Sequence, residues 1–486
     1  MACTDIDDKA NTLRSLISLL ADAAEVVIKE WKIEAQDSKH DPLLPSVELY
    51  HARQEVVGAC GMFSNLVQEP QHRLMEVSFQ YFISRALHIA ARANLAKFIA
   101  EADTGLGVEL KEISVKSGIE QSKLAQIFHV LCSTDIFTEI KPGFFANNEI
   151  SRQLTIEPMR CVALLHGLSV YAGSVQLPTV LLNSVENDKN RTKPTAYEEM
   201  HGTTIWEYLQ RSPSNLDDTV DSRRELEIFA QAMVGAGRVH ATPVYAGMLD
   251  LRVNFGAILS LPFVQITHGN AFRMALLSTL AEELVMVLLL LTFLSIPTIL
   301  FAGGMSLDLA KRFPRLHFVV QDLPAVIPQA EAVWQRELPD AVATKRVRFM
   351  PHDFLTEQPI KGADVYLMRY VLHNWRDEQC IMILSKLRDA MGPQSRILDV
   401  DQIMRTTVGS THLQRAPEPL PANYGHAQLL SHAVDIAMLS LFNSKERTPE
   451  EFISLAQQAG LRVVKVWECR TIVGVTEMRR NDAPVN

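Results

Sequence analysis

The spacing of hydrophobic and polar positions divides the chain into a helical first half and a second half of alternating strands and helices. Over residues 10–31, Leu13, Leu16, Ile17, Leu20, Ala24, Val27 and Ile28 recur at helical intervals. That spacing predicts an amphipathic helix packed on its own domain or on a twin subunit. Residues 37–48 are polar and contain Pro42 and Pro45, so they read as a linker. Helical spacing resumes at about 49–68 and again at 75–100. Residues 108–150 have a tighter rhythm: a short helix over 108–116, a turn at Gly118 and a second helix over 121–133. Strands at 136–140 and 144–147 then flank the Pro142-Gly143 turn. Two helices followed by a small hairpin make a winged helix. Residues 160–240 read as helical connections, with polar breaks at 183–195 and 211–222.

From Leu316 the pattern changes. Apolar strands are predicted at 317–321, 347–350, 364–371 and 396–401, with helices at about 324–337, 378–391 and 449–459. A closing strand pair lies within 461–475. Strands alternating with helices predict an α/β fold with a mostly parallel sheet. Ligands of such sheets sit at the carboxyl ends of the strands, so the residues that follow each strand are the ones to inspect.

Composition narrows the partners. The chain has 486 residues, enough for two or three domains, and a formal net charge of −9. The second helix of the winged-helix segment offers only Lys123 and the wing only Lys141, too few cations for a phosphate-binding surface. No nucleic-acid partner is expected. The six cysteines (Cys3, Cys60, Cys132, Cys161, Cys380, Cys469) are scattered with no CxxC pair, and the N-terminus is acidic. Reduced thiols in a cytoplasmic protein are therefore expected. One segment departs from this picture: 284–304 carries no charged residue and includes the leucine run 288–291. It is long enough to span a bilayer, but a buried apolar element has the same composition. A lone span there would also separate the winged helix from most of the sheet. No membrane association is expected.

Several residues at strand ends could carry chemistry. Asp322 follows the first strand and could accept both hydroxyls of a ribose, or cap a helix before Pro324. Asp353 with Phe354 offers an acceptor and an aromatic face, or simply a loop cap. His373 follows the third strand and is the side chain best placed to take a proton near neutral pH. Asp401 ends the fourth strand, and Glu446 precedes the helix start at Thr448-Pro449; either carboxylate could hold the second nitrogen of a histidine. His432, Asp435 and Met438 could line one helix face of a substrate pocket. No dinucleotide fingerprint, phosphate loop, nucleophile elbow or clustered metal-ligand set is present.

The stretches 309–327 and 362–380, then 396–401 and 445–448, resemble the plant and fungal S-adenosylmethionine-dependent O-methyltransferases. The resemblance covers roughly 70–245 and 303–475. It is nearest to fungal enzymes of the sterigmatocystin O-methyltransferase type, which act on polyketide-derived aromatics. It implies a Rossmann-like catalytic domain preceded by a winged-helix dimerisation domain. It also implies S-adenosyl-L-methionine as cofactor, no catalytic metal, a homodimer and an aromatic hydroxyl as methyl acceptor. Carried over by position, Asp322 and its neighbour Leu323 would hold the cofactor ribose, and Asp353 and Phe354 would flank the adenine. Arg369 stands where the family has a basic residue near the cofactor. His373 matches the general base, and Asp401 and Glu446 match the two acids that orient it, Asp401 in place of a more usual Glu.

The pattern breaks at the glycine loop. Where the family has an acidic, glycine-rich strand end, this chain reads Ile-Pro-Thr-Ile-Leu-Phe-Ala-Gly-Gly-Met over 296–305, leaving only Gly303 and Gly304. Residues 248–300 show no family pattern. A translated intron or frameshift over 250–302 is the favoured explanation, ahead of an insertion in which 298–302 serves as a substitute strand. The organisation expected is a helical segment and linker (1–70), the winged helix (71–160), a helical substrate-pocket region (161–247), the anomalous segment (248–302) and the methyltransferase domain (303–486). A relative with a disrupted cofactor loop and little or no catalysis is the alternative reading.

Overall fold

The computed structural model describes residues 6–36, 44–182, 194–209, 225–237, 244, 263–266 and 304–483 except 325. The chain forms two compact units: residues 1–69, 239–274 and 298–486 make the first, and 70–238 with 275–297 the second. Residues 1–69 thus belong with the sheet rather than with the helical segment that follows them.

The first unit opens with helix α1 (Ile6–Gln36) and helix α2 (Val47–Val67), packed against each other. Ser46 starts α2 by accepting from the Leu49 N–H, while its hydroxyl donates to Glu30 at 2.8 Å. One residue therefore caps the second helix and ties it to the first. Leu16 and Ala59 bury their side chains with Leu420 and Tyr424. The helical pair is thereby part of the first unit's core.

In the second unit, helix α3 (Pro70–Arg92) leads to Leu95–Ala102, strand β1 (Val108–Glu109), and helices Leu110–Ser117 and Gln121–Ser133. Strands β2 (Phe137–Lys141) and β3 (Phe144–Asn147) form a hairpin, and β1 adds to give the order β1-β3-β2. Gly143 has φ 77°, which the tight turn demands and a Cβ would resist. Phe128 stacks on Phe145 at 4.2 Å and meets Phe137 edge-on at 5.3 Å, joining the second helix to the hairpin.

Among the described residues, the first unit's sheet has seven strands. They are β4 (Phe263–Ile266), β5 (Phe318–Asp322), β6 (Val347–Pro351), β7 (Val365–Arg369), β8 (Arg396–Gln402), β9 (Leu461–Glu468) and β10 (Val473–Arg480). Their order is β6-β5-β4-β7-β8-β10-β9; β4 to β8 pair in parallel, and β10 runs antiparallel to both neighbours. Helices Gly304–Arg312 and Ile327–Glu337 fall on one face, where Trp334 packs with Phe318, Val320, Val365, Leu367, Leu398 and Val400. Helices Asp377–Ala390 and Pro449–Gln458 fall on the other, with Tyr366, Met368, Ile397, Ile383, Leu384, Phe452 and Leu455. Alternate residues of each strand feed alternate layers, as a doubly covered sheet requires.

Two expectations change. The central strand lies at Phe263–Ile266, inside the segment that carries no family pattern, where it pairs with both β5 and β7. Four residues are too short to announce a strand by alternation, and only the pairing on both sides identifies it. The helix after β5 begins at Ile327 rather than near 324, so Asp322 is not its cap. Gly303, the substitute strand at 298–302 and the apolar run 284–303 lie outside the described residues. Glu157–Leu182 is long and apolar enough to cross a membrane by length and composition alone. Helices Glu157–Gly167, Ser169–Ser174 and Leu177–Leu182 divide it.

Candidate active site

The order of strands reverses between β4 and β7, and parallel strands place their carboxyl ends along one edge. That is where open α/β sheets bind ligands. Asp322, Arg369 and Asp401 all reach this edge because they end β5, β7 and β8 or stand one residue before the end.

His373 is presented by a short turn. Tyr370, just past β7, has φ 53°, a left-handed conformation that a bulky residue adopts only when its surroundings hold it. The chain then closes a 3-10 turn over Leu372–Asn374. Asp401 Oδ2 accepts the His373 backbone N–H at 3.2 Å, and the Ser444 hydroxyl donates to the His373 carbonyl at 2.6 Å. The imidazole Nδ1 lies 2.9 Å from Glu446 Oε1. Of the two acids, Glu446 therefore engages the ring and Asp401 grips the main chain. An aspartate one methylene shorter than glutamate stays close to its own strand, and the first atom it meets is the turn's amide.

Glu446 is itself held. Its N–H donates to Asp435 Oδ1 at 2.8 Å. His432 Nε2 lies 3.2 Å from the Arg405 carbonyl. Arg447 is 1% exposed and donates to the Leu372 and Trp375 carbonyls at 2.9 and 2.8 Å, with Asp377 Oδ1 at 2.8 Å. These bonds clamp both ends of the His373 turn. Arg447 has no sequence signal beyond its place next to Glu446, so its role is visible only in the structure.

The electrostatics follow from this burial. Burial pulls the His373 imidazole down, but the adjoining Glu446 carboxylate outweighs it, aided by Asp401, and pushes it up to about 9. Burial pushes Asp401 up to about 6 against the pull of His373. With Glu446 accepting at Nδ1, Nε2 is the nitrogen left for proton exchange.

The cofactor candidates fall into two groups. Asp322 is 1% exposed at the end of β5, with Oδ1 accepting the Leu323 N–H at 2.7 Å, and Leu323 is buried beside it. The Arg369 guanidinium lies 5.1 Å from the Tyr370 ring centre. Among the described residues none of its three buried nitrogens has a hydrogen-bond acceptor. A guanidinium at the end of β7 and a buried carboxylate at the end of β5, with β4 between them, fit a ligand carrying both a carboxylate and a ribose. Asp353 is exposed and caps its own turn, accepting from the Leu355 N–H at 3.0 Å. Phe354 is turned into the core, edge-on to Trp375 at 6.0 Å. Gly304 is the first residue of the helix Gly304–Arg312.

Comparison with known proteins places this geometry. Residues 286–462 match the O-methyltransferase domain family. The chain is 36% identical over 501 residues to O-methyltransferase gedA of Aspergillus terreus, covering 96% of each. It is 35% identical over 500 residues to O-methyltransferase tpcA of Aspergillus fumigatus, again covering 96% of each. Among solved structures, LepI in complex with SAM superposes with TM-score 0.65 at 18% identity, covering 96% of this chain and 98% of that one. The mitomycin 7-O-methyltransferase MmcR superposes with TM-score 0.59 at 19% identity, covering 84% and 97%. At those identities the superpositions speak for the fold alone. The fold is that of a class I methyltransferase, with a helical N-terminal region before a largely parallel sheet. The chain belongs to the O-methyltransferase family, whose cofactor is S-adenosyl-L-methionine.

Proposed function

We propose that this chain methylates an aromatic hydroxyl of a secondary metabolite, with His373 as general base, as a cytoplasmic homodimer. The observation that carries the reading is the 2.9 Å contact between His373 Nδ1 and Glu446, which fixes the ring and commits Nε2 to the substrate. S-adenosyl-L-methionine supplies an electrophilic methyl group when bound. Asp322 and Leu323 are assigned to its ribose, Asp353 and Phe354 to its adenine, and Arg369 to its carboxylate, with Gly303 and Gly304 assigned to it as the remnant of the glycine loop. A phenol ionises near 10, and His373 at about 9 is nearly matched to it. Proton transfer between groups one unit apart is uphill by only about 1.4 kcal/mol. Glu446 then stabilises the imidazolium, as an orienting acid does in a catalytic triad. Asp401 and Arg447 keep the turn in place.

The homodimer reading rests on α3, which exposes Leu74, Met75, Val77, Phe79, Tyr81 and Phe82. A run of large apolar side chains of that kind marks an interaction face. The cytoplasmic reading is supported by Cys60, Cys132, Cys161 and Cys380, thiols outside any disulfide. Calorimetric titration with S-adenosylhomocysteine tests the cofactor assignment. Micromolar binding that Asp322→Ala weakens by tenfold or more is expected. No binding by a folded parent protein would overturn it and favour a non-catalytic relative.

A further inference from the structure

Strand β8 carries a second acid that the site described so far does not use. Along β8, Leu398 and Val400 join one apolar layer while Ile397 joins the other. Strand alternation puts Asp399 with Ile397 and Asp401, in the layer of Cys380, Ile383 and Leu384. Asp399 is 0% exposed. Among the described residues, neither of its carboxyl oxygens has a hydrogen-bond partner. Thr476 stands opposite on β10, also fully buried, with its hydroxyl unpartnered. Two residues along the same face, Asp401 uses Oδ2 on the His373 amide, and its Oδ1 is buried with no hydrogen-bond partner among the described residues.

Charge balance decides the state of this acid. Asp401, Glu446 and Asp377 already share the two cations here, the His373 imidazolium and Arg447, so among the described residues no positive charge is left over for Asp399. A third carboxylate in an apolar layer, with no donor to meet it, protonates instead. A protonated carboxyl has a proton to give, and the free oxygen of Asp401 is an acceptor without a donor. We propose that Asp399 is a positioning residue for the methyl-transfer base. It stands as a neutral carboxylic acid that donates to Asp401, and through Asp401 it holds the turn and the charge of His373.

The groups facing this pair are His373 on the 3-10 turn, Glu446 and Arg447 before helix Pro449–Gln458, Cys380 on helix Asp377–Ala390, and Thr476 on β10. Repulsion from Asp401 and Glu446 and burial all favour the neutral form of Asp399, with burial the larger. Donation to Asp401 keeps that carboxylate ionised beside the imidazole. Without it, Asp401 takes up a proton more readily and supports the His373 cation less.

This inference deepens the base reading and rests on it, so the test reads Asp399 without catalysis. Infrared difference spectra of the full-length protein between Asp399→Asn and parent should show a protonated-carboxyl band at neutral pH that the variant lacks. In nitrogen-15 histidine spectra, with the signal assigned by His373→Ala, Asp399→Val should titrate His373 lower by about half a unit or more. Asp399→Asn, which still has an N–H to donate, should restore most of that shift. Thermal melts confirm that each variant is folded. Absence of the band, or an unmoved His373 titration in both variants, overturns the proposal. Undiminished methyl transfer by His373→Ala would instead remove the base reading, a result the Asp399 measurements cannot produce.

Discussion

At the scale of single residues, the site depends on one histidine whose two nitrogens have different tasks. Because His373 is raised to about 9, most of the resting protein holds an imidazolium at neutral pH. The base form grows with pH, so kcat/KM should climb through an alkaline limb near 9. Glu446→Gln removes the larger raising influence and leaves Asp401 to oppose burial, so the limb should move well below 9. Its plateau should fall by about 10²-fold or more, because the ring is no longer held in one tautomer. A pH–rate profile of the variant with the limb still near 9 would contradict the assignment. The same shift has a stability consequence. A group raised on folding stabilises the native state fully below its unfolded value of about 6.5, and that contribution is lost as pH rises through 9. The parent should therefore lose thermal stability between pH 7 and 10, and His373→Ala should flatten that part of the curve.

At the scale of elements, α2 is matched to the segment Gly425–Gln428 by glycines on one face. A Cβ at Gly58 would stand 2.4 Å from the Tyr424 carbonyl oxygen, and one at Gly61 would stand 2.3 Å from the His426 Cβ. The first neighbour is backbone, which cannot swing aside. Gly58→Ala is expected to cost about 1–3 kcal/mol through overpacking, read as a lower denaturation midpoint with an unchanged denaturant slope. Stability equal to the parent would show that α2 is not seated as described. The strand ends follow a related logic. Asp322 was legible as a candidate because parallel strands deliver the residues at their ends to one edge, and Arg369 only through the family resemblance. The division of labour between Glu446 and Asp401 was not, since it turns on one methylene and on which amide lies within reach.

At the scale of the whole molecule, the exposed face of α3 predicts association. Phe79 and Phe82 are 58% and 49% exposed, and their rings lie 5.9 Å apart on one side of the helix. Phe79→Asp with Phe82→Lys should convert a dimer to a monomer in light scattering while leaving the thermal melt of the catalytic unit in place. A parent protein that is monomeric at micromolar concentration would remove the homodimer from the proposal.

The sequence by itself determined the α/β class and the rhythm of helices and strands. It also singled out the acids and the histidine that follow those strands, because periodicity and strand-end chemistry are local properties. Only the tertiary structure decided which short apolar stretch becomes the central strand, since Phe263–Ile266 is recognised by pairing with β5 and β7 and not by its own four residues. Only it brought Glu446 to a histidine 73 positions away and buried Arg447 and Asp399 behind the turn. Such contacts arise from the folding of distant segments onto one sheet, and their strength comes from the low-dielectric interior that folding creates.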